Sequence, residues 1–136
     1  MKKIFLISLV MVLSSFALNA QCPKPVTTTG QYFSVSFNNY TNSVIDFTYS
    51  GGGFGFGISE TFKIPAYGRL NLSLPQLSEG GIYDFNLLAE GGSRYDVLFE
   101  FYKQTEFIYS WEWGYGNHTL YEQDAYESYR FEAHDM

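Results

Sequence analysis

Five aromatic residues at alternate positions, Phe107, Tyr109, Trp111, Trp113 and Tyr115, have the types and spacing best suited to holding a ligand in this 136-residue chain. In an extended strand all five project from one face, with successive rings about 6.5–7 Å apart. Exposed, such a row stacks against sugar rings while nearby acids accept hydroxyl hydrogen bonds. The competing role is a core-facing strand, because aromatic side chains bury large areas and dominate cores. Tyr109, Trp111, Trp113 and Tyr115 carry polar atoms, which favours exposure at one end of the row. Phe54 and Phe56 stand in a glycine run, Ser50 to Gly57. On a loop they present apolar tips to a partner pocket; alternatively they fold back over the edge of a core.

Catalytic chemistry has no comparable footing. The glycine run lacks the lysine of a phosphate-binding loop, and no helix follows it. There is no Gly-x-Ser-x-Gly elbow, and the one cysteine, Cys22, lies near the N-terminus. Carboxylate pairs such as Glu100 and Glu112 can oppose each other across strands, the arrangement a small hydrolase needs, but fourteen acids in a short chain produce such pairs by chance. His118 and Glu122 have helical spacing and His134 precedes Asp135, yet no motif gathers three or four ligands, so neither a metal nor a cofactor is expected. Glu122, Asp124 and Glu127 lack the loop pattern of a calcium site and are expected to form a solvated acidic face. The chain is expected to be non-enzymatic.

The elements that must position these residues read as strands. Phe33, Val35 and Phe37 alternate with serines; Ile45, Phe47 and Tyr49 with Asp46 and Thr48. Ile58 to Ile64, Leu70 to Leu74, Tyr83 to Leu87 and Tyr95 to Phe101 continue the two-residue period. Turn residues separate them every 10 to 12 positions. Glu90-Gly91-Gly92-Ser93 reads as the turn of a hairpin joining the last two segments. Thr119 to Glu122 fits a capping box, so a short helix or irregular turn over 119 to 125 is expected before a closing strand near Tyr129 to Ala133. The expected fold is an all-β, antiparallel β-sandwich of immunoglobulin-like character with about seven or eight strands.

The N-terminus has the three parts of a secretory signal: Lys2-Lys3, an apolar run from Ile4 to Leu18, and Ala20 before a cut at Ala20-Gln21. The run is too short to read as a membrane anchor. The signal resembles those of Gram-negative bacteria of the Bacteroidota, which implies a periplasmic or secreted protein. Residues 21 to 30, with two prolines and a threonine run, read as a flexible leader, leaving 31 to 136 as one domain. Cys22 has no partner for an internal disulfide.

The chain carries a net charge of −6, which disfavours nucleic acid and anionic membrane as partners. Seven of its fourteen acids fall from Glu106 onward, against Arg130 alone. These features suit an exported binding module whose protein or glycan ligand meets the aromatic row. The alternative is an inhibitor or immunity-type protein that blocks a basic partner with its acidic C-terminal face.

Overall fold

A computed structural model describes residues 24–91 and 95–136. The signal segment 1 to 20 and Cys22 lie outside the described residues. Among those described are nine strands: β1 (Thr28–Asn39), β2 (Ile45–Gly53), β3 (Phe56–Ile64), β4 (Arg69–Leu77), β5 (Ile82–Ala89), β6 (Val97–Lys103), β7 (Glu106–Trp111), β8 (Tyr115–Leu120) and β9 (Ser128–Asp135). They form a five-stranded sheet, β4-β1-β9-β6-β7, and a four-stranded sheet, β3-β2-β5-β8. All neighbours are antiparallel except β1 and β9. No helix among the described residues is long and apolar enough to cross a membrane.

The two-residue period fixes which side of each strand is buried. Phe33, Val35 and Phe37 of β1, Phe99 and Phe101 of β6 and Phe131 of β9 meet Ile45, Phe47, Tyr83, Phe85 and Leu87 from the other sheet. The rings interlock across the gap: Phe37 meets Phe47 edge-on at 5.7 Å, Phe47 meets Phe131 at 5.6 Å, and Phe33 meets Tyr83 at 5.3 Å. Each buried side chain of this size contributes roughly 1.5–3 kcal/mol. The chain is therefore an all-β sandwich. Its strand order is not the immunoglobulin one, where the first strand lies beside the second and the fourth beside the fifth; here β1 lies between β4 and β9.

Several expectations are corrected. The described part of the expected leader packs onto the fold: Val26 is 4 % exposed, its amide donates to the Phe54 carbonyl, and β1 begins at Thr28. The Val26 side chain, just after Pro25, plugs the end of the sandwich beside Gly53 and Gly81. The glycine run is a tight hairpin rather than a long loop, with Gly53 opposite Phe56 and a two-residue turn in which Gly55 takes φ +79°. β5 and β6 do not form a hairpin. The first pairs with β2 and β8 in one sheet, the second with β7 and β9 in the other; Gly92 and Ser93 of the expected turn lie outside the described residues. Alternation specifies the buried face of a strand but not its neighbour.

No helix forms over 119 to 125. The Thr119 hydroxyl donates to Asp84 on β5 instead of capping a helix. Gln123 then staples the following turn to the β4–β5 region, its side chain accepting from the Leu77 amide and donating to the Gly81 carbonyl.

Candidate functional site

The aromatic row is not one surface. β7 ends at Trp111, and Trp113 and Gly114 adopt φ +69° and +65°, turning the chain out of one sheet and into β8 of the other. This division raises the strand count to nine. It also sends the five rings to four places. Phe107 meets Tyr102 at the edge of the five-stranded sheet. Tyr109 and Trp111 contact each other at 4.6 Å and lean inward toward Phe101 and Phe131 respectively. Trp113 is 59 % exposed in the turn, beside Tyr95. Tyr115, 57 % exposed, stands opposite Leu88 on the other sheet. Phe54 is exposed at its hairpin tip, whereas Phe56 is half-buried against the core. Glu122 and Asp124 are exposed, and Asp124 accepts from the Tyr126 amide. Glu127 is half-buried, 3.9 Å from Lys103.

His118 lies on the inner side of β8, its ring 4.1 Å from Phe101. Nδ1 is hydrogen-bonded to the Tyr109 hydroxyl and Nε2 is buried without a partner. Burial holds its pKa down to about 4, below the ordinary value of 6.5. The unfolded chain therefore takes up this proton first. The neutral ring's contribution to stability is intact above pH 6.5 and is lost as pH falls toward 4. A His118→Gln variant is expected to lose less melting temperature than the parent across that window, as measured by circular dichroism at a series of pH values. Parallel profiles would contradict this.

The outer face of the four-stranded sheet brings together residues that did not stand out in sequence. Three rows run across β3, β2, β5 and β8: Ser59, Ser50, Asp84, Thr119; then Thr61, Thr48, Asn86, Asn117; then Lys63, Asp46, Leu88, Tyr115. Neighbours within the rows hold one another. Thr48 and Thr61 share a hydrogen bond of 3.0 Å, Asn117 donates to Asn86 at 2.6 Å, and Thr119 donates to Asp84 at 2.6 Å. Lys63 pairs with Asp46 at 3.1 Å and also with Glu90. The hydrogen bond that Lys63 donates to Glu90 holds that carboxyl below the usual carboxylate range.

Two shallow depressions indent this face. One is lined by Asp46, Thr48, Thr61, Lys63, Asn86 and Tyr115 among others. The other lies where Gly52 and Gly57 pair without side chains, beside Ser50, Ser59 and Asp84. The signal was available in the sequence: these polar residues are the alternate positions of strands whose apolar positions define the core.

On the opposite outer face, β6 and β9 place Glu100 directly across from Glu132, with His134 beside both. This is the one group of three potential metal ligands found among the described residues. Glu112, weighed above as a partner for Glu100, lies instead beyond the end of β7, where Ser110 occupies the position opposite Glu100.

The fold and these two polar faces define the class: a β-sandwich, nine-stranded over the described residues, with a hydroxyl-, amide- and carboxylate-bearing sheet face. Compared with known proteins, the chain matches no family model, no curated protein and no solved structure.

Proposed function

We propose that this chain is an exported, non-enzymatic binding module whose ligand is a glycan lying across the outer face of the four-stranded sheet. The observation that carries this is the depression in which Tyr115 stands beside Asp46, Thr48, Thr61, Lys63 and Asn86. One aromatic ring set in a field of hydroxyl, amide and charged groups matches a sugar, which offers an apolar ring face and a rim of hydroxyls that both donate and accept. Trp113, exposed two residues away, is a second ring for a longer chain. The shallow, open shape suits a polymer passing over a surface.

A glycan array with the purified chain, followed by calorimetric titration of the best binder, tests the assignment. Tyr115→Ala is expected to weaken binding at least tenfold, about 1.4 kcal/mol, and Asn86→Ala by a smaller factor. Melting temperature should barely change in either, because both side chains face outward. Unchanged affinity in Tyr115→Ala, or an array with no binder, would overturn the proposal.

A further inference from the structure

We propose that Glu100, Glu132 and His134 form a binding site for a divalent transition-metal ion of the zinc type, on the outer face of the five-stranded sheet. The site is independent of the glycan surface, which belongs to the other sheet. His134 Nε2 lies 2.9 Å from Glu132 Oε1 and 3.1 Å from Glu100 Oε1, and one donor atom from each of the three residues lies within 4.8 Å of the others. A tetrahedral ion with bonds of about 2.1 Å spaces its donors about 3.4 Å apart. Small side-chain adjustments bring the three to that spacing and leave a fourth position for water.

The surroundings orient these atoms as a metal site requires. Glu132 uses its other oxygen, Oε2, to accept from Arg130 Nε at 2.6 Å, and Glu100 Oε2 accepts from the Tyr102 hydroxyl at 2.9 Å. Each carboxylate is thus anchored by its far oxygen and turns its near one toward the imidazole, the arrangement by which outer partners fix ligating groups. The Arg130 guanidinium in turn sits over the Tyr102 ring at 4.4 Å. Tyr40 stacks on the His134 ring at 5.1 Å and sets its plane.

Two carboxylates directly opposite each other on adjacent strands repel. Arg130 pairs with Glu132 and His134 Nε2 lies against both carboxylates, so a bound cation would take the place of a proton between the imidazole and the two acids. The ligand set of one imidazole and two carboxylates selects a borderline ion such as Zn²⁺ over Ca²⁺, which takes six to eight oxygens.

The test is calorimetric titration of the chain with ZnCl₂, in a Cys22→Ser background that removes the thiol as a competing ligand, with melting temperature followed in parallel. The expected result is one saturable equivalent, a rise in melting temperature, and binding at least tenfold tighter for Zn²⁺ than for Ca²⁺. His134→Ala and Glu132→Gln should each weaken Zn²⁺ binding at least tenfold while keeping the parent circular dichroism spectrum. Glu106→Gln, an exposed acid on β7, should leave it unchanged. Absence of saturable binding, binding that survives His134→Ala, or a preference for Ca²⁺ would overturn the proposal.

Discussion

Replacing Gly51 with alanine is expected to destabilise the domain by about 3 kcal/mol, at the upper end of what overpacking a core costs, while the same change at Gly57 is expected to stay within about 0.5 kcal/mol. The two glycines belong to one run, but their surroundings differ. Gly51 lies directly opposite Tyr83, and a methyl group there falls 2.3 Å from the Tyr83 ring. That ring cannot yield. It is fully buried, edge-on to Phe33 and stacked on Phe85, and its hydroxyl donates to the Pro75 carbonyl at 2.5 Å. Gly57 has nothing within 4 Å of the corresponding point and lines the open depression beside Ser50. Urea denaturation of both variants checks the contrast. Equal effects would mean that the run is a flexible connection rather than a strand shaped around one tyrosine.

The second large effect is expected at Asn39, where substitution by alanine should cost about 3 kcal/mol. Asn39 is 2 % exposed at the end of β1. Its amide donates to the carbonyls of Ser43, at 2.7 Å, and Pro65, at 3.0 Å. Its carbonyl accepts from the Thr41 amide at 3.0 Å and the Thr41 hydroxyl at 2.7 Å. One side chain thereby ties the β1–β2 turn to the β3–β4 turn. Truncation strands buried polar groups, each at roughly 1–3 kcal/mol. Asn39→Asp should be at least as damaging, since it presents an anion to the Ser43 and Pro65 carbonyls with no hydrogen to donate. Chemical denaturation measures both, and a loss below 1 kcal/mol for Asn39→Ala would show that water replaces the network. The Asn-x-Thr sequon at Asn39 is accordingly closed in the folded chain, where Thr41 is also fully buried.

Strand positions were legible because burial follows a two-residue period: Phe33, Phe47, Leu74, Phe85 and Phe99 are all buried as their alternation implies. Connectivity was not. Val97 to Phe101 carries the same pattern whether its neighbour is β5 or β9, and the choice is made by packing between distant segments. The break in the aromatic row was also hidden, since φ +69° at Trp113 is uncommon for a residue other than glycine. Of the candidate ligand-binding residues, Tyr115 and Trp113 stand exposed as an open surface requires, whereas Tyr109 and Trp111 lean inward. The Glu100–Glu132–His134 cluster was written in sequence only as alternate polar positions, Arg130, Glu132 and His134 on one strand and Glu100 and Tyr102 on another. Their convergence follows from the pairing of β6 with β9 across the fold.

The central claim, that the polar face of the β3-β2-β5-β8 sheet is the ligand surface, is tested most directly by mapping amide chemical-shift changes in the isotope-labelled chain as the glycan selected from the array is titrated in. The account predicts shifts concentrated at Thr48, Thr61, Asn86, Asn117 and Tyr115, with the β1 and β9 amides unmoved. Shifts confined to the five-stranded sheet or to the β2–β3 hairpin tip at Phe54 would contradict it.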